Sequence, residues 1–148
     1  FPDGHLDFSP ECIRILVRLI RERKPDVVYL PHAQEGPRDH RVTHELVLEA
    51  VRRAAGPWFQ DCSGEPWPVK HVLAYEVWTP IGSPTYYNEV TSWIDLKTAA
   101  LRCHASQVST VAYDEAVKGL NRYRGILSGT GDYCEAFQVI IGNPLGRD

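Results

Sequence analysis

Residues 9–57 constrain the fold most, because two amphipathic helical patterns there enclose one short apolar run. Ser9-Pro10 has the residue types of a helix start, a side-chain cap followed by a proline at the first helical position. Ile13, Leu16, Val17 and Ile20 then recur at helical spacing, opposite Arg14, Arg18, Arg21 and Arg23, until Lys24-Pro25 ends the pattern. Asp26-Val27-Val28-Tyr29-Leu30 is a short run of β-formers and reads as a buried parallel strand. A loop from Pro31 to Arg38 leads into a second helix, about Val42 to Ala55, with Leu46, Val47, Ala50, Val51 and Ala54 on its buried face and Gly56-Pro57 as its stop. Helix, strand, loop, helix is the rhythm of an α/β fold.

The remaining chain is less regular. Val69 to Trp78 reads as a strand and Pro80 to Asn88 as a loop. Helices are expected from about Leu96 to Ser106, with Ala99, Ala100 and Cys103 inward, and from about Tyr113 to Gly125, with Ala116, Val117, Leu120 and Tyr123 on one face. Tyr133 to Ile141 reads as a last strand, and Asn143-Pro144 closes the ordered part. No internal repeat is present, and 148 residues suffice for one domain.

A net charge of −3 offers no electrostatic reason to bind nucleic acid. No apolar run reaches the roughly 18 residues that span a bilayer. Cys12, Cys62, Cys103 and Cys134 show no metal-binding spacing, and a chain with ordinary apolar content is expected to keep them reduced in the cytoplasm. The chain contains no methionine and begins in a turn-like Phe-Pro-Asp-Gly, which is expected of a trimmed or partial chain.

Ligands of open parallel sheets gather beyond the C-terminal ends of the strands, so the loop from Pro31 to His40 is the first place to look for chemistry. Asp39-His40-Arg41-Val42-Thr43-His44 carries an imidazole beside a carboxylate, the pairing in which metal-bound histidines are commonly held. The four-residue spacing of His40 and His44 equally describes an exposed helix face. Cys103-His104-Ala105-Ser106-Gln107 groups polar side chains that would serve a ligand or a helix C-terminus alike. No serine lies in a Gly-x-Ser-x-Gly turn, so a nucleophile elbow is not encoded.

Five segments occur in an order that resembles the LmbE-like family, which includes the N-acetylglucosaminyl-phosphatidylinositol (PIG-L) de-N-acetylases. They are Phe1-Pro2-Asp3-Gly4, Lys24-Pro25-Asp26-Val27-Val28, Asp39-His40-Arg41, Lys97 to Leu101 with His104-Ala105-Ser106-Gln107, and Tyr133-Cys134-Glu135-Ala136-Phe137. The resemblance implies a Rossmann-like, three-layer α/β domain with a mainly parallel sheet, residues 1–148 forming the C-terminal part of one deacetylase domain. It implies zinc (Zn2+) as cofactor and hydrolysis of the N-acetyl group of an amino-sugar small molecule or glycoconjugate. It makes His40 a zinc ligand and Asp39 its supporting carboxylate, and leaves His44 a surface residue. Asp3 and Gly4 are placed near the sugar, Arg38 is a substrate-binding candidate, and His104 is a catalytic candidate by motif membership.

Two departures accompany the resemblance. The family's remaining ligands and its base lie in a His-Pro-Asp-Asp motif that this chain lacks, so a missing N-terminal segment of the same protein is the expected partner. Where relatives carry a histidine before the Asp-His pair, this chain reads Pro37-Arg38-Asp39-His40. Proline supplies no proton, and Arg38, His32 and His104 are the candidates for the positive charge. The competing readings are a non-catalytic sugar-binding module, with the aromatic loop Trp78 to Tyr87 as stacking platform, and an assembly role as a homo-oligomer.

Overall fold

Ser9 and Pro10 start the first helix as their residue types require. In the computed structural model, which describes residues 1–144, α1 spans Pro10–Arg23 and the Cys12 N–H donates to Ser9 Oγ at 3.2 Å. Lys24 stops the helix in a left-handed conformation (φ 49°), its N–H returning to the Ile20 carbonyl at 2.8 Å. Ser9→Ala is expected to cost about 1 kcal/mol of stability, read by urea denaturation; an unchanged midpoint would show that water replaces the cap.

The remaining elements are β1 (Val27–Pro31), α2 (Arg38–Ala54), β2 (His71–Tyr75), β3 (Tyr86–Glu89), α3 (Ile94–Arg102), α4 (Ala105–Val108), α5 (Tyr113–Ser128) and β4 (Cys134–Ile141). The strands form one mixed sheet in the order β1-β2-β4-β3, giving a mixed α/β fold. The chain divides into two compact units, Phe1–Ser83 with the chain from Gln138 onward, and Pro84–Phe137. No helix among the described residues is long and apolar enough to cross a membrane.

In the first unit α1 lies against α2, and β1 runs parallel to β2 in a register from Val27 opposite His71 to Pro31 opposite Tyr75. Cys12, Ile13, Val17 and Ile20 of α1 meet Leu46, Ala50, Val51 and Ala54 of α2 and Leu30, Val72 and Ala74 of the strands in one apolar cluster. Several expectations are corrected here. Arg21, read as part of the polar face of α1, is buried. Val27 and Tyr29 are exposed, so β1 buries only its C-terminal end. The second helix begins at Arg38 rather than Val42, because Pro37, extended at φ −64° and ψ 138°, launches it and Asp39 suits the positive first turn. β2 stops at Tyr75, since the backbone of residues 77–79 bonds to a side chain instead of a strand.

In the second unit Tyr86–Glu89, expected as loop, is a strand antiparallel to β4, with Tyr86 opposite Phe137 and Glu89 opposite Cys134. Tyr86 and Phe137 pack with ring centroids 5.9 Å apart and planes tilted by 39°, a cross-strand contact that supplies what the short polar sequence lacks. The helix expected over 96–106 is two pieces, α3 and α4. Ile94 and Thr98 are its buried residues, whereas Ala99, Ala100 and Cys103 face solvent. Thr98 tolerates burial because its hydroxyl donates to the Ile94 carbonyl at 2.7 Å. On α5 the buried residues are Asn121, Arg124 and Gly125, while Ala116 and Tyr123 are exposed and Val117 and Leu120 half-buried. Gly125 sits so close to the backbone at Gly131 and Asp132 that a Cβ there would come within 2.6 Å, and this fixes the face.

Candidate functional site

The loop between β1 and α2 turns one carboxylate inward. Glu35 is 1% exposed, and a buried carboxylate persists as an anion only when donors replace its water. Its Oε1 accepts the N–H groups of Val77 at 2.7 Å, Trp78 at 3.1 Å and Thr79 at 3.3 Å, and Oε2 lies 3.2 Å from the Trp78 nitrogen. The His32 Nε2 lies 3.3 Å from Oε1 and the His40 Nδ1 lies 3.4 Å from Oε2. Burial pushes the Glu35 carboxyl up, but these three N–H groups and the His32 ring outweigh it and hold it below its ordinary value.

The surrounding groups are fixed in turn. The Gln34 N–H donates to His32 Nδ1 at 3.2 Å, so His32 carries its proton on Nε2 and donates it to the Thr79 carbonyl at 2.8 Å. His44 donates from Nδ1 to the Pro31 carbonyl at 2.8 Å. Arg41 donates to the carbonyls of Glu35, at 2.8 Å, and Gly36. The loop from Pro31 to Pro37 is thereby tied to β2, to the turn after it and to α2.

Of the residues singled out in the sequence, Asp39, His40, Asp3, Gly4 and Arg38 all fall in this unit. Asp39 accepts the N–H of Gly4 at 2.7 Å and of Leu6 at 3.3 Å, joining the Asp3-Gly4 turn to the start of α2. Gly4 adopts φ +75°, which favours glycine there. Arg38 donates to the Leu6 carbonyl and to Asp7 Oδ1, the latter at 2.7 Å, and so is tied to the same segment. His44, expected on the surface, is 8% exposed; its hydrogen bond to Pro31 makes that burial tolerable. His104 belongs to the second unit, exposed at the start of α4.

A cavity of about 310 Å³ opens in the first unit, lined by His32, Ala33, Gln34, Ile81, Gly82, Ser83 and Gln138. Its walls offer hydrogen-bonding groups of the kind that meet sugar hydroxyls. A catalytic zinc takes three protein ligands and a water. Among the described residues no three His, Cys, Asp or Glu side chains cluster as a cage. The oxygens of Glu35 and Asp39 face backbone donors, which leaves His40, with its ring 30% exposed, as the available imidazole. The described residues therefore do not fit zinc by themselves.

Glu35 has no sequence signature: a single acid in a polar loop looks the same whether it faces water or three amides. The only available hint is its place beyond the end of a parallel strand, five residues before His40.

The sequence profile of the PIG-L family, GlcNAc-PI de-N-acetylase, matches residues 1–51. The chain is 26% identical over 152 residues to a diacetylchitobiose deacetylase of Thermococcus kodakarensis, covering 96% of this chain and 55% of that protein. It is 30% identical over 151 residues to a 1D-myo-inositol 2-acetamido-2-deoxy-alpha-D-glucopyranoside deacetylase of Segniliparus rotundus, covering 78% and 45%. The chain thus spans about half the length of these curated relatives. Its fold matches a conserved protein from Thermus thermophilus with a TM-score of 0.87 at 30% identity, over 100% of this chain and 68% of that one. A 4-carboxy-2-hydroxymuconate hydratase from Pseudomonas putida shares the fold at a TM-score of 0.80 and 21% identity, over 96% and 63%. Profile, relatives and fold agree with the ordered motifs of the sequence, and the chain belongs to the PIG-L family of GlcNAc-PI de-N-acetylases.

Proposed function

We propose that the protein carrying this chain hydrolyses the N-acetyl group of an amino-sugar conjugate. The observation that carries this reading is His40, held beside a buried carboxylate past the end of a parallel strand, in a chain whose relatives are named as deacetylases of N-acetylated sugars. The proposal extends to a Rossmann-like three-layer domain and to zinc as cofactor, with His40 as one ligand and the others contributed from beyond the described residues. Within the chain, Glu35 holds the loop after β1 against the turn after β2, and Asp39 holds the Asp3-Gly4 turn at the head of α2. The cavity beside His32 supplies hydrogen-bonding partners for the sugar.

The test is acetate release by the zinc-supplemented full-length protein from N,N′-diacetylchitobiose and from an N-acetylglucosaminyl inositol. Losing a residue that merely orients a metal ligand costs about 10–100-fold, so His40→Ala, which removes the ligand, is expected to lower the rate by at least about 100-fold. Equal rates for the two proteins would remove His40 from the site. The absence of a three-ligand cage among the described residues favours one second reading, a sugar-binding module without catalysis. Saturable sugar binding without acetate release by the zinc-loaded protein would establish it.

A further inference from the structure

The fold leaves one atom beside Glu35 unexplained. His40 Nδ1 is buried and has no hydrogen bond of normal geometry, yet it lies 3.4 Å from Glu35 Oε2. Glu35 is itself closed to solvent and pinned by three backbone N–H groups, so the carboxylate does not turn away. A bare nitrogen lone pair facing that anion would be both unsatisfied and repelled, whereas an N–H there is attracted.

We propose that Glu35 is a positioning residue that places the His40 proton on Nδ1 and so makes Nε2 the bare nitrogen of the ring. The same carboxylate meets His32 in the opposite sense, because Gln34 occupies His32 Nδ1 and leaves Nε2–H as the proton-bearing side. One buried anion therefore sits between two imidazoles of opposite tautomer, and only His40 gains a free Nε2 from it. This deepens the deacetylase reading and rests on it for its use, since a bare Nε2 is what a metal or a proton-accepting role requires of His40.

The experiment needs neither metal nor substrate, so its outcome is separate from that of the acetate assay. Long-range proton–nitrogen correlation spectra of the labelled protein, taken without metal at about pH 8.5, report which nitrogen of each ring is protonated. His40 is expected as the Nδ1–H form and His32 as the Nε2–H form. In Glu35→Gln the amide oxygen takes the place of Oε1 before Val77, Trp78 and Thr79, so its NH2 replaces Oε2 and faces His40 Nδ1. The His40 ring is then expected to switch to Nε2–H, while His32 keeps its form through Gln34 and Thr79 and reports that the loop is intact. A wild-type His40 protonated at Nε2, alone or together with Nδ1, overturns the proposal. So does an Nδ1–H form that survives Glu35→Gln with His32 unchanged. Should the variant fail to fold, the wild-type spectrum decides alone.

Discussion

Arg21→Met is expected to lower the unfolding free energy by roughly 3–5 kcal/mol, because it strips the cap from the C-terminal end of α2. The last carbonyls of a helix have no partner within it. Here α2 ends without a left-handed glycine, at Ala55 in right-handed conformation. Arg21, 3% exposed, supplies the donors instead. Its Nε reaches the Ala54 carbonyl at 3.3 Å, and Nη1 reaches Phe59 at 2.9 Å. Nη2 reaches Arg53 at 3.3 Å, Gly56 at 3.0 Å and Trp58 at 2.7 Å. Methionine fills much of the volume and donates nothing. Arg21→Lys is expected to recover only part of the loss, since an ammonium cannot fan out to five acceptors. Urea denaturation at constant m-value measures both. A loss below about 1 kcal/mol for methionine would mean that water satisfies these carbonyls and that the guanidinium is a bystander.

Glu35→Ala is expected to cost a similar roughly 3–5 kcal/mol near neutral pH, since it leaves the N–H groups of Val77, Trp78 and Thr79 without an acceptor in a closed site. Its signature is pH dependence. The folded protein holds the Glu35 carboxyl below the ordinary value of 4.5, so its contribution is complete above that value and is lost as pH falls through the lower, folded one. Wild-type stability is thus expected to decline on acidification more steeply than that of Glu35→Ala, the two curves converging in acid. Asp114, held low by Arg102, and Glu49, held at about 2 chiefly by Arg52, are present in both proteins and cancel in the difference. Parallel curves would show that Glu35 is not anionic in the fold.

The first half of the fold is legible in the sequence because its signals are local. Ser9-Pro10 caps and starts α1 through bonds within one turn, and the 3.6-residue recurrence of Ile13, Val17 and Ile20 needs only a neighbour to cover it. The second half is less so. β3 exists through its partner strand, and the buried face of α5 follows Gly125, where backbone replaces a side chain, rather than the line of apolar residues. Arg21 escapes a sequence reading because a basic residue normally marks a solvent face, and nothing local announces five carbonyls arriving from residues 53–59.

Sequence alone determined the family, the α/β rhythm and the nomination of Asp39 and His40, since ordered motifs and hydrophobic period survive without coordinates. Only the tertiary structure decided what those residues face. It placed Asp39 on the Gly4 turn, buried His44 and put Glu35 between His32 and His40. The reason is physical: the state of a carboxylate or an imidazole depends on donors and acceptors brought in from strands and turns some forty residues away. Local sequence carries no record of them.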